Sequence, residues 1–454
     1  MSVDLHPTRH DVDVAPPAAP PAGPVTRVIA GSLTAGALTA RLLTLAVFAG
    51  ATESVISGVV LLAFALSWAM IAVLTVRHTN RPQRWATVPA AAMGVTGVLL
   101  LLLTPGNAAM TELSWVWPPF ALALAGWMSV QMRRSSIGRG RWLVAPVVAA
   151  LALAAVGATC ESLVAAHDQA AYPAPGRLYE VDGHRLHLDC HGQGGPTVVL
   201  ANGLGEISAS WARVAGPVVE ATRVCAYDRA GQGWSDDVPS PQDGMAAAED
   251  LHTLLDVAGE TGPYVLVGHS IGGTYAMTYA ARYPEQVAGL VLLDSSSPRQ
   301  FSSLPAYAGQ YALMRRGLAL LPSLARLGLL RAFAASSLPA PAADRVEALT
   351  SNAYAARNGR DEVSMLPEVF EQARQLTSLG NRPLVVVTAS ENLTTEGWAD
   401  AQDQLAALSA NRVHRVADST HAGLVEDERG AAASVRAITQ VVAAVRTGSP
   451  LDPS

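Results

Sequence analysis

Ser270 stands between two glycines in Gly268-His269-Ser270-Ile271-Gly272, at the end of the apolar run Tyr264-Val265-Leu266-Val267. The G-x-S-x-G pattern at a strand-to-helix junction is a nucleophile elbow, a tight turn that lifts a serine Oγ above a sheet. A serine is a weak nucleophile, so it needs a base, an acid to orient that base, and donors for the developing oxyanion. His421, in "VADSTHAGLVED" near the C-terminal end, is the candidate base. His269, beside the serine, reads as structural, with its ring turned away from the site. One oxyanion donor is the N–H of the residue after the nucleophile, Ile271. The other falls in the loop "ANGLGE", where Gly203 and Gly205 allow the backbone at Leu204 to face the serine.

These residues need a scaffold, and the sequence supplies one. The segments 178–181 and 185–190 form a hairpin across Asp182-Gly183, and the segments 197–201 and 222–227 read as buried strands. A helix over 246–258 precedes the elbow strand. Gly273 and Ala276 open a small-residue helix that stops near Tyr283-Pro284, and 287–293 is the next strand. Strands alternating with helices give an α/β domain with a mostly parallel sheet. Residues 299–380 carry a helical pattern without strand signal. They fall between the strands 287–293 and 384–388, where an insertion becomes a cap over the site.

The first third of the chain is different. Residues 1–26 are a Pro- and Ala-rich tail, read as disordered. Apolar segments follow at about 28–50, 55–76, 86–104, 113–130 and 142–160, each near the ~20 residues a helix needs to cross a bilayer. They define a helical transmembrane domain over 27–166, joined by a linker at 167–177 to the second domain, 178–446. Arg41 lies within the first span, with Glu53 as a possible partner. Arg77, Arg81 and Arg84 lie between spans two and three, and Arg133, Arg134, Arg139 and Arg141 between spans four and five. The positive-inside rule puts both loops in the cytoplasm, so the second domain lies outside the cell membrane.

Composition agrees with a membrane protein. The 454 residues are 50% hydrophobic and only 15% charged, with a mean hydropathy of +0.25. A net charge of -6 without a basic cluster outside the membrane loops argues against a nucleic-acid partner. His184, His187 and His191 sit on one strand, whose alternation keeps them from converging. The three cysteines have no CxxC spacing, so no metal and no cofactor is expected.

Residues 178–445 resemble the α/β-hydrolase superfamily, through "PTVVLANGLG", "TRVCAYDRAGQGWSD", "YVLVGHSIGG" and "GLVLLDSS" in that order. The resemblance implies the α/β-hydrolase fold and the chain order serine, acid, histidine. It implies oxyanion N–H groups at Leu204 and Ile271, and a structural role for Asp228-Arg229. Many relatives carry His-Gly where this chain has Asn202-Gly203. Two strand ends in such a fold can supply the acid: Asp294 follows the strand after the nucleophile, and Glu391 follows the next, beside an asparagine, Asn392, at the usual aspartate position. Asp294 is the preferred acid and Glu391 the alternative. The strand ending at Cys190 should run antiparallel to the one holding Cys225, which predicts a disulfide in an exported domain. The expected function is a membrane-anchored serine hydrolase acting on a small-molecule or lipid-like ester. The rival reading is a membrane transport or sensing protein whose second domain only binds.

Overall fold

The computed structural model describes residues 24–135 and 137–452. The expected tail therefore lies mostly outside the described residues, and Val25 already begins a helix.

Five helices open the chain: α1 (Val25–Leu42, prolonged by a π-turn to Val47), α2 (Glu53–His78), α3 (Thr87–Leu103), α4 (Asn107–Arg134) and α5 (Arg141–Ala171). All five segments are long and apolar enough to cross a membrane. Small residues bring two of these helices close together. At the α2–α3 crossing a Cβ on Gly97 would stand 2.8 Å from the Gly58 carbonyl oxygen, so position 97 needs glycine, and one on Gly58 would be crowded at 3.1 Å from the Gly97 carbonyl oxygen. Helix α5 runs on to Ala171, which shortens the expected linker to the few residues before Arg177. The helix continues because "AAHDQAA" holds no breaker before Pro173.

The second part is one eight-stranded sheet in the order β1-β2-β4-β3-β5-β6-β7-β8. β1 (Arg177–Val181), β2 (His184–His191) and β4 (Val224–Tyr227) pair antiparallel, and β3 (Val198–Ala201), β5 (Tyr264–His269), β6 (Val287–Leu293), β7 (Leu384–Ala389) and β8 (Arg412–Ala417) extend the sheet parallel from β4. Leu266, Leu292 and Val386 pack on one face, whereas Val265, Val267, Val291, Leu293 and Val387 pack on the other. Burial on both faces is why these strands read as unbroken apolar runs. α7 (Gly244–Val257) and α8 (Gly272–Arg282) cover the first face, and α6 (Ala212–Val219) and α16 (Glu428–Thr447) the second.

The insertion folds as α9 (Gln300–Ser303), α10 (Tyr307–Leu318), α11 (Leu321–Ala325), α12 (Ala342–Thr350) and α13 (Ala353–Ala373). α14 (Trp398–Ala406) and α15 (Gly423–Glu426) complete the chain. The cap also grips the five-helix bundle. Arg326 pairs with Glu53 on α2, its Nη2 lying 3.0 Å from Glu53 Oε2, and donates to Ser114 Oγ on α4 at 3.0 Å. Arg331 pairs with Glu161 and Asp168 on α5. Glu53 is thus the partner of a cap arginine and not of Arg41. A carboxylate at the first turn of α2 sits at the bundle end, where the cap can reach it.

Candidate active site

The elbow is built by steric exclusion. A Cβ on Gly268 would lie 2.4 Å from Gly273 Cα, and one on Gly272 would lie 2.3 Å from the Ala201 carbonyl oxygen. Only glycine lets the turn close against β3 and α8. Ser270 itself holds φ +54°, a left-handed conformation costly for a residue with a Cβ. Strain of this kind persists only where surroundings over-determine it. Here the Ser270 N–H donates to Leu293 O at 3.1 Å, and Ser296 N–H donates to Ser270 O at 3.0 Å. The serine is thereby tied to the end of β6, where Asp294 follows.

Asp294 also has positive φ, +42°, and is fully buried. Its Oδ2 lies 2.6 Å from His421 Nδ1 and accepts from Asn392 Nδ2 at 2.5 Å. Its Oδ1 accepts from Trp398 Nε1 at 2.8 Å and from the Ala389 N–H at 3.2 Å. The carboxylate is held from four sides and meets one nitrogen of the imidazole. The His421 side chain is about one-third exposed, so the ring reaches from a buried anion toward the open side of the elbow. Glu391 does a different job. Its Oε2 accepts the His421 backbone N–H at 2.8 Å and never meets the ring. Among the described residues no hydrogen bond joins Ser270 Oγ to the imidazole. Such contacts are often long in a free enzyme and tighten around substrate.

His269 does not turn away from the site. Its ring lies against that of His421, with centroids 4.6 Å apart, and its Nε2 donates to the His421 carbonyl oxygen at 3.0 Å. Its Nδ1 faces Glu206 Oε1 at 2.5 Å. Burial favours the neutral form of both groups. The charge and hydrogen bond each receives from the other outweigh it, so His269 is raised above its ordinary value and Glu206 is lowered. Glu206 Oε2 also accepts the Gly203 N–H at 2.5 Å. One buried ion pair thus ties the loop at Gly203 to the loop that carries His421. The sequence held no periodic signal for this pair, whose members are far apart in the chain.

Leu204 and Ile271 share one apolar cluster with Tyr275. No hydrogen bond among the described residues engages either backbone N–H, which leaves both available as donors. Asn202 supports the loop from below. Its Nδ2 donates to Tyr227 O at 2.9 Å and its Oδ1 accepts from Trp211 Nε1 at 2.8 Å. Arg229 donates to Asn202 O at 2.7 Å and pairs with Glu362 on α13 at 2.6 Å, tying the same loop to the cap. Asp228, fully buried, accepts the Ser208 N–H at 2.6 Å and faces His187 Nδ1 at 2.8 Å. His184 and His191 face Asp250 and Asp189, so the β2 histidines do not converge. Cys190 and Cys225, opposite each other on β2 and β4, are disulfide-bonded, and Cys160 is free.

The chain matches the alpha/beta hydrolase fold family over residues 196–428. The uncharacterized protein C23C11.06c of Schizosaccharomyces pombe is 29% identical over 300 residues, covering 57% of this chain and 55% of that one. Lipase LipV of Mycobacterium tuberculosis is 43% identical over 113 residues, covering 24% of this chain and 41% of the lipase. The chain thus spans about half the length of these curated relatives. A solved structure described as an ancestral haloalkane dehalogenase, AncHLD2, superposes with a TM-score of 0.50 at 18% identity, covering 60% of this chain and 99% of that one. A likeness at that identity speaks to fold alone.

Proposed function

Because this chain belongs to the alpha/beta hydrolase family, we propose that it is a membrane-anchored serine hydrolase of carboxylic esters, on lipophilic or small acyl substrates. One observation carries the reading: a buried carboxylate at 2.6 Å from an imidazole, next to an elbow serine in a left-handed conformation. Ser270 Oγ attacks the acyl carbonyl while His421 Nε2 takes its proton. Asp294 keeps the proton on Nδ1 and steadies the imidazolium. The carbonyl oxygen gathers charge against the N–H groups of Leu204 and Ile271. Collapse passes the proton from His421 to the departing alcohol and leaves an acyl-serine. Water, deprotonated by the same imidazole, attacks the acyl-serine and releases the acid. The residues supply every proton transfer in this cycle, and the proposed chemistry calls on no metal or cofactor.

The anchoring rests on the five apolar helices. The cap meets Glu53, Ser114, Glu161 and Asp168, toward the helix ends away from Arg77, Arg133 and Arg141. The arginine loops and the hydrolase part therefore lie on opposite sides of the bundle, which supports an extracytoplasmic catalytic domain. The test is a fluorophosphonate probe on the full chain in detergent. Labelling at Ser270 that vanishes in Ser270→Ala is the expected result, and a folded wild-type protein that fails to label sinks the proposal. The same result separates it from a binding-only role in transport or sensing.

A further inference from the structure

Helices α2, α3, α4 and α5 do not close fully on one another. Between them lies a cavity of about 820 Å³, roofed by cap helix α11 and the residues after it. The cavity is not general looseness, because the α2 and α3 backbones approach to glycine contact nearby. It falls within the roughly 300–1,000 Å³ of small-molecule sites. Its wall is hydrocarbon along most of its length, with Ile56, Val60, Phe64, Trp117, Leu151 and Leu324 among the lining. Such a wall offers water few partners and suits an alkyl chain.

Apart from Thr96 in the middle of α3, the polar side chains of the lining gather at the cap end. Glu53 and Arg326 face each other there as carboxylate and guanidinium, so their charges cancel. Ser57 Oγ and Ser323 Oγ lie 3.0 Å apart across the same boundary, one from α2 and one from the cap. An anionic head would meet Glu53 and a cationic one would meet Arg326. An uncharged head with hydroxyl or ester oxygens can exchange hydrogen bonds with the serines and break no ion pair. The roof also leads to the catalytic part. α11 packs against α13, and α13 carries Glu362, the partner of Arg229, and Leu366, which clusters with Ile271.

We propose that this chamber binds a neutral single-chain acyl ester of the monoacylglycerol class, with the chain between α2 and α5 and the head under the cap. We infer further that it is the site from which long-chain esters reach Ser270; only this second step rests on the hydrolase reading.

The test uses the full chain in detergent and a monoacylglycerol bearing a diazirine in its acyl chain. Photolysis should place adducts on lining residues such as Phe64 and Leu151, and excess unlabelled monoacylglycerol should abolish them. Ala154→Trp fills the chamber from α5, displacing at least two methylenes, so adduct yield should fall about tenfold or more. Val60→Trp does the same from α2 and serves if the first variant misfolds. Leu153→Trp, on an outward position 72% exposed, should leave the yield unchanged. Adducts spread over outward residues such as Leu102 and Leu153, insensitive to competitor, would overturn the chamber. Ser270→Ala should bind as the wild type does, which separates binding from catalysis. For delivery, Ala154→Trp should lower turnover of a long-chain ester by about tenfold while a butyryl ester and fluorophosphonate labelling are unaffected. Equal turnover of both esters in a variant whose adducts are lost would overturn delivery and leave chamber binding standing. A wild type that takes adducts yet resists the fluorophosphonate overturns the hydrolase reading alone.

Discussion

Substituting Asp294 by asparagine changes one oxygen of the carboxylate to an NH2 group, and the site has no tolerant place for it. If the amide nitrogen takes the Oδ2 position, it meets the Asn392 amide donor at 2.5 Å and the His421 Nδ1 at 2.6 Å. The imidazole must then turn its Nδ1 lone pair to the amide and carry its proton on Nε2, the nitrogen that has to receive the serine proton. If the amide nitrogen takes the Oδ1 position, it opposes two fixed donors, Trp398 Nε1 and the Ala389 N–H. Either way, a buried donor loses its acceptor, at roughly 1–3 kcal/mol of stability. The catalytic effect is larger. A wrong-tautomer base in a triad of this design costs about 10⁴-fold in kcat, equivalent to about 5.4 kcal/mol of barrier. Glu391→Gln is the comparison. Its carbonyl oxygen can still accept the His421 backbone N–H, so kcat should stay within about threefold. Two assays read the pair: hydrolysis of a p-nitrophenyl ester, and the rate of fluorophosphonate capture of Ser270, which needs the base but no particular substrate. An Asp294→Asn protein that is folded and keeps a tenth of wild-type capture would refute the assignment, as would a large loss in Glu391→Gln.

The buried His269–Glu206 pair gives a pH signature. His269 is raised above the ordinary 6.5, so its contribution is complete below pH 6.5 and fades as pH climbs through the raised value. Glu206 is lowered below the ordinary 4.5, so its contribution is complete above 4.5 and is lost in stronger acid. The stability gap between wild type and Glu206→Gln should be widest near pH 5 and narrow toward alkaline pH, measured by denaturant titration across pH; a gap that widens upward contradicts the pair. The Cys190–Cys225 bridge closes a sequence separation of 35, so the double serine variant should lose about 3–4 kcal/mol; unreduced peptide maps with both thiols alkylated would exclude the bridge. In intact cells, protease added outside should cut beyond Ala171, and cutting that requires lysis would reverse the proposed orientation.

The sheet and the elbow were legible because their signals are local. Val265 and Val267 alternate with Leu266 in a run too apolar to be half exposed, and the glycines around Ser270 mark a turn that no other residue permits. The five long apolar helices were legible for the same reason, although their ends were not, since α5 needs no apolar residue to continue to Ala171. Asp294 was a choice between two strand ends, and the sequence alone could not exclude Glu391, whose carboxylate comes as near as the His421 backbone. What could not be read were contacts between distant segments: His269 with Glu206, Arg229 with Glu362, Arg326 with Glu53. Each pair is two polar residues with no spacing rule, and only tertiary packing turns them into partners.

Helix α5 delivers the chain to β1 with only residues 172–176 between them, while Arg326 holds the cap to α2 and α4 and Arg331 holds it to α5 itself. A body attached at two points cannot tumble about its tether. Under the proposed function, the mouth of the site stays at one height and one tilt above the lipid surface. Its encounters with a substrate dissolved in that surface then take place in two dimensions. Turnover should follow the mole fraction of ester among the surrounding lipids and should not respond to dilution of the whole suspension. Cutting the polypeptide between α5 and β1 in a variant that also lacks Arg326 and Arg331 would release a catalyst that searches in three dimensions and obeys bulk concentration instead.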